Sequence, residues 1–143
     1  MSRSVAFIGC GKVAAFHADT LVELGVPIQS VCGRSSDSAS ARSFADRYHV
    51  PRVYANHKEL LSKDDADLLW VATSWNVTED IMMDLLLDGR PALVEKPIAT
   101  TSRKIEQLLD FVDGANAGKC SVFCAMNRRH YDFIPQLRDI IEP

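Results

Sequence analysis

The feature that most constrains this chain is its first turn. Val5-Ala6-Phe7-Ile8 is a short apolar run, and Gly9-Cys10-Gly11-Lys12-Val13-Ala14 follows it directly into a helical pattern over residues 13–24. A buried strand that ends in Gly-x-Gly-x-x-Ala and opens a helix is the dinucleotide-binding fingerprint. Each small residue answers a steric demand. Gly9 permits the tight turn, Gly11 lets backbone approach a pyrophosphate with no Cβ between them, and Ala14 lets the helix lie close on the strand. The first unbonded N–H groups of the helix, near Lys12 and Val13, then face the phosphates, where the helix dipole favours negative charge.

Beyond that turn, strand and helix patterns alternate. A stop at Gly25 and Pro27 precedes a second strand over Ile28–Cys32, and a helical stretch covers 38–48. Val53-Tyr54 is a short strand and Lys58-Glu59-Leu60-Leu61 part of a short helix. Leu68-Leu69-Trp70-Val71-Ala72-Thr73 is a continuous apolar run of the kind buried on both faces of a parallel sheet. Ile81, Met82, Leu85 and Leu86 recur at helical spacing and Gly89 caps them; Ala92-Leu93-Val94 is a fifth strand. Ile105, Leu108, Leu109 and Val112 mark a helix capped by Thr101 or Ser102, residues 121–126 a sixth strand, and Phe133–Ile141 a further helix. The alternation implies right-handed crossovers and an α/β fold: a doubly wound, mostly parallel six-stranded sheet between two helical layers.

Bulk properties narrow the function classes. With 143 residues the chain suits one domain, and a net charge of −3 gives no footprint for nucleic acid or an anionic membrane. No apolar run approaches the roughly 18 residues of a membrane span, and no signal peptide is visible. Cys10, Cys32, Cys120 and Cys124 lie in or beside strands without C-x-x-C spacing or paired histidines, so they read as reduced thiols of a cytoplasmic protein and no metal site is expected.

Cofactor choice is partly readable. Enzymes using NAD usually place an acid about 20 residues beyond the glycine loop to hold the ribose hydroxyls. Here the second strand ends in Gly33-Arg34-Ser35-Ser36, and the first acid is Asp37. A carboxylate repels a 2′-phosphate, whereas a guanidinium flanked by hydroxyls binds one, so NADP is expected over NAD. The alternative is that Arg34 is simply a surface residue. Thr73, Ser74, Trp75 and Asn76 follow the fourth strand and should border the cofactor, because ligands of such sheets bind at the strands' carboxyl ends. Trp75 is either a stacking wall or a half-exposed loop aromatic. His17 reads as a helix-surface histidine.

Val94-Glu95-Lys96-Pro97-Ile98-Ala99 resembles the Glu-Lys-Pro motif of the Gfo/Idh/MocA family, which includes glucose-fructose oxidoreductase and inositol dehydrogenase. The run 68–73 is similar to that family's fourth strand, and Asn127-Arg128-Arg129-His130-Tyr131 to the segment after its sixth. With the glycine loop in register, the resemblance covers essentially the whole chain.

The resemblance implies hydride transfer between a nicotinamide cofactor and a hydroxyl-bearing carbon of a sugar, polyol or cyclitol. It implies that Lys96 points into the cleft as the catalytic residue, that Glu95 contacts the cofactor ribose or orients the lysine, and that Pro97 fixes the turn, often after a cis bond. Arg128, and His130 beside it, are implied near the nicotinamide. The sequence departs from the family pattern at Thr73-Ser74-Trp75-Asn76, with Thr78 where the family often has a histidine. Residues 1–126 are thus expected to form the dinucleotide-binding domain. Residues 127–143 are expected to begin a connection to a substrate domain absent from this chain, with self-association through the face that domain would cover. A nucleotide-binding regulatory or remnant module without turnover is the competing expectation.

Overall fold

The computed structural model describes residues 3–35, 37–114 and 121–141. Six strands alternate with helices: β1 (Val5–Ile8), α1 (Lys12–Glu23), β2 (Ile28–Cys32), α2 (Ala39–Tyr48), β3 (Arg52–Tyr54), α3 (His57–Lys63), β4 (Leu68–Val71), α4 (Trp75–Asp88), β5 (Ala92–Glu95), α5 (Ser102–Asp113) and β6 (Val122–Ala125). A 3-10 turn over Asn127–His130 then leads to α6 (Phe133–Ile141). All strand pairs are parallel, in the order β3-β2-β1-β4-β5-β6. Winding therefore reverses between β1 and β4, which leaves a crevice above their carboxyl ends.

The two faces of the sheet bury separate cores, as period-two alternation requires. On one side Val5 and Phe7 of β1 pack against Ala14, Ala18 and Leu21 of α1 and Phe44 and Ala45 of α2. On the other, Ala6 and Ile8 meet Leu60 of α3 and Ile81, Met82 and Leu85 of α4, with Leu108 of α5 at the margin. The central strand β1 is buried along its whole length, which is why it reads as unbroken apolar sequence. Element ends follow ordinary capping chemistry. Ser38, Asn56 and Thr101 accept from backbone N–H groups three residues on, and Gly89 closes α4 at φ 79°.

Two boundaries differ from the sequence reading. The apolar run over 68–73 pairs only as far as Val71, and Ala72 N–H gives a last bond to Ile8 O at 2.9 Å before the chain turns into α4. Helix α3 is longer than its apolar residues suggest, because the Asn56 cap and the Glu59–Lys63 ion pair extend it at both ends. Cys10, Cys32 and Cys124 form no disulfide; Cys120 lies outside the described residues.

Candidate cofactor site

A cavity of about 690 Å³ opens in the crevice at the carboxyl ends of β1, β2 and β4. That volume lies in the range typical of small-molecule and cofactor sites. Its floor is the glycine turn. Gly9 has φ +103°, and a Cβ placed there would lie 2.4 Å from Ala72 O, so the residue is demanded by the close approach of β1 to the end of β4. Its N–H donates to Cys32 O at 3.0 Å, tying the turn to β2 as well. Burial pushes the Cys32 thiol up to about 12. Beneath the loop this cysteine acts as a small apolar side chain.

Gly11 is a different case. Its φ is −81°, open to any residue, and a Cβ there would meet nothing within 4 Å. No contact inside the protein asks for glycine at this position. The space its missing side chain leaves is the cavity itself, at the N-terminus of α1, where no side chain caps the helix and no acid sits in the first turn. Unbonded N–H groups, a favourable dipole and bare backbone suit a pyrophosphate, so the residues present fit a dinucleotide. Lys12 and Val13 open that helix and are exposed.

The wall after β2 is polar and lacks a carboxylate. Gly33, Arg34, Ser35, Ser38 and Ser40 line it. Gly33 is required by packing, since a Cβ would lie 2.5 Å from Ser38 Oγ. Ser38 and Ser40 hydroxyls lie 3.0 Å apart, and Cys10 Sγ donates to Ser40 Oγ at 3.3 Å, joining the glycine loop to α2. Asp37, the first acid after the strand, is bonded to Arg42 at 3.0 Å and does not line the cavity. Ser36 lies outside the described residues.

The opposite wall comes from Thr73, Ser74 and the first turns of α4. Thr78 is buried, 2.8 Å from Thr73 Oγ1 and donating to Ser74 O at 3.2 Å, so it braces this turn. Trp75 and Asn76 are exposed and do not line the cavity, with Trp75 60% exposed. Asn56, His57 and Asp80 complete the far end, residues the sequence reading did not single out. Their signal was positional: α3 and α4 begin at the carboxyl edge of the sheet, and residues of their caps and first two turns face the crevice.

Glu95, Lys96 and Pro97 stand at the end of β5, outside the cavity lining. The Lys96–Pro97 bond is cis. Lys96 is exposed, and its ammonium has no hydrogen bond or ion pair among the described residues. Glu95 lies 78 residues from His17 in sequence yet bonds to it, with its Oε1 2.7 Å from His17 Nε2. His17 is therefore not a helix-surface histidine. It occupies the Ala14–His17–Ala18–Leu21 stripe, the buried i, i+3, i+4, i+7 face of α1, and that spacing was the missed signal. Arg128 and His130 are exposed in the 3-10 turn after β6 and do not line the cavity. No group of three metal-binding side chains gathers among the described residues, and no helix there is long and apolar enough to cross a membrane.

Comparison with known proteins agrees with this geometry. The family model GFO_IDH_MocA, described as an oxidoreductase family with an NAD-binding Rossmann fold, matches residues 3–123. A trans-1,2-dihydrobenzene-1,2-diol dehydrogenase from Xenopus tropicalis is 30% identical over 124 residues, covering 86% of this chain and 36% of the relative. An alpha-N-acetylgalactosaminidase from Shewanella oneidensis is 29% identical over 114 residues, covering 74% of this chain and 25% of its own length. A myo-inositol dehydrogenase from Lactobacillus casei, solved in complex with NAD(H) and myo-inositol, shares the fold with a TM-score of 0.88 at 23% identity, covering 99% of this chain and 42% of that one. The chain thus spans about a quarter to two-fifths of the length of the proteins it matches.

Proposed function

The chain belongs to the Gfo/Idh/MocA oxidoreductase family, and from that premise we propose that it is the cofactor-binding unit of an NADP-preferring oxidoreductase acting on a hydroxyl-bearing carbon of a sugar, polyol or cyclitol. The observation that carries the reading is the cavity at the switch of strand order, with Gly11 bare at its floor for no reason internal to the protein. In this reading Gly9, Gly11, Lys12 and Val13 hold the pyrophosphate, and Thr73 and Ser74 border the dinucleotide opposite. Trp75, Asn76 and Arg128 flank it from outside the cavity. The nicotinamide cofactor supplies the hydride donor or acceptor.

Lys96 is the residue assigned to proton transfer. On the rim beyond β5, its neutral amine accepts the hydroxyl proton as that carbon is oxidised, and its ammonium donates a proton to the oxygen as the carbon is reduced. Pro97 and Glu95 shape the turn that carries it. In this reading residues 127–143 begin the connection to a substrate-binding part, in keeping with the greater length of the relatives. A soluble cytoplasmic setting and self-association through apolar side chains such as Phe123, Phe133 and Ile140, all exposed, complete the proposal.

NADP is favoured because the wall after β2 offers Arg34 and the hydroxyls of Ser35, Ser38 and Ser40, while Asp37 is bonded to Arg42. A phosphate bonded to a guanidinium and hydroxyls gains charge-assisted hydrogen bonds, and a diol gains much less from the same groups. Fluorescence titration of the chain with NADPH and with NADH tests this. Tighter NADPH binding is expected, with Arg34→Ala weakening NADPH about tenfold or more and NADH less than threefold. Equal effects on the two cofactors would refute the preference, and no binding of either would refute the cofactor reading.

A further inference from the structure

We propose that His17 is a positioning residue: from α1 it holds Glu95, and so sets the Glu95–Lys96–Pro97 turn that the reading above places beside the nicotinamide. The inference rests on that reading for the word nicotinamide, but the device itself stands on contacts within the protein. His17 Nε2 and Glu95 Oε1 are 2.7 Å apart, and each side chain is about one-fifth exposed, at 23% and 20%. The imidazole is not free to turn. It lies 4.8 Å from the Trp70 ring, which stacks on Phe7 at 5.9 Å and 18°, and Phe7 meets Phe44 at 5.3 Å. A column of rings thus runs from the α2 side of the core to the end of β5, and its last polar atom is aimed at one carboxylate.

Strand alternation explains why that carboxylate is available. Ala92 and Val94 face the α4 core, so Leu93, in register with Trp70, and Glu95 face the side of the sheet that α1 covers. A glutamate on that face needs a partner, and among the described residues His17 supplies it. Downstream, the same turn is anchored again. Glu79 of α4 accepts from the Thr100 N–H at 2.8 Å and from its hydroxyl, which holds the Glu79 carboxyl below its ordinary range. Residues 96–99 are strung between these two ties, and the N-termini of α1 and α4 both flank the cavity. His17 therefore links the phosphate-binding helix to the lysine turn through side chains alone.

Hydrogen exchange of the chain without ligand, followed by nucleotide titration, tests the assignment in His17→Ala, His17→Gln and Glu95→Gln. Loss of this one part-buried hydrogen bond is expected to speed exchange about tenfold in peptides covering 95–99 and to leave β1 and α2 unchanged. NADPH affinity should fall about tenfold, while affinity for 2′-phospho-ADP-ribose, which lacks the nicotinamide, should change less than twofold. His17→Gln, which keeps a donor on a side chain of similar reach, should recover part of both effects. Unchanged exchange at 95–99, a uniform rise across the whole chain, or equal loss of both nucleotides would each overturn the positioning role. A wild-type chain that binds neither NADPH nor NADH would instead overturn the cofactor reading, while exchange at 95–99 still decides whether His17 holds the turn.

Discussion

Gly9 and Gly11 stand two residues apart in one loop, and the structure gives them opposite reasons for being glycine. Alanine at Gly9 would put a methyl 2.4 Å from Ala72 O at φ +103°. Relief means moving the end of β4, where Ala72 N–H bonds Ile8 O at 2.9 Å. Left-handed strain contributes roughly 1–2 kcal/mol and overpacking roughly 1–3, so a loss of about 3 kcal/mol is expected. For a domain of this size that lowers Tm by about 6–12 °C. Alanine at Gly11 meets no atom within 4 Å and an ordinary φ of −81°. Its cost is that of an alanine N-cap, about 0.5–1 kcal/mol or roughly 1–4 °C. Its methyl projects into the proposed pyrophosphate site, so NADPH affinity should fall at least about tenfold. Thermal melting and fluorescence titration of both variants separate the effects. The reasoning fails if Gly9→Ala melts within about 2 °C of wild type, or if Gly11→Ala binds NADPH as tightly as wild type does.

Three further outcomes follow from the same contacts. Cys32 keeps its proton in the folded chain up to about 12, against an ordinary thiol value of 9.0. Its contribution is intact below pH 9 and is lost as pH rises toward 12, because the unfolded chain ionises first; between pH 8 and 10 the loss is about 1.4 kcal/mol. Urea unfolding should show that Cys32→Val removes this part of the alkaline decline, and an identical decline in both proteins would refute it. Arg90 bonds Asp88 at 2.7 Å and the carbonyls of Asp64 and Leu61 at 2.8 and 3.0 Å, pinning the end of α3 to the loop after α4. Arg90→Met should cost about 2 kcal/mol, or roughly 4–8 °C in Tm; no change would mean that water replaces the guanidinium without loss. Lys96→Met should leave NADPH affinity within about threefold, since Lys96 lies outside the cavity lining, while removing any polyol-dependent reduction of NADP. Retained turnover would refute the proton-transfer role.

Much of this molecule is local and therefore legible in its order of residues. The strand-turn-helix around Gly9 and Gly11 needs only neighbours, and so do the caps at Ser38, Thr101 and Gly89. Periodicity distinguishes α1 from β1 because burial on one helical stripe and burial on both strand faces leave different patterns. The Gly33-Arg34-Ser35 wall was readable because it adjoins a strand end whose place in such a sheet is set by the winding. Other features depend on how separate elements are stacked. Ser38, Ser40, Asn56, His57 and Asp80 come from three helices or their caps, and they meet only once β1, β2 and β4 lie side by side. Trp75 and Asn76 were expected at the site from chain position, yet they stand exposed outside the cavity lining. The His17–Glu95 bond spans 78 residues and crosses from helix to sheet. Short-range pattern dictates turns, caps and the faces to be buried, because those are decided by neighbours a few residues away. Which carboxylate a buried histidine meets is decided by packing, and no spacing along the chain records it.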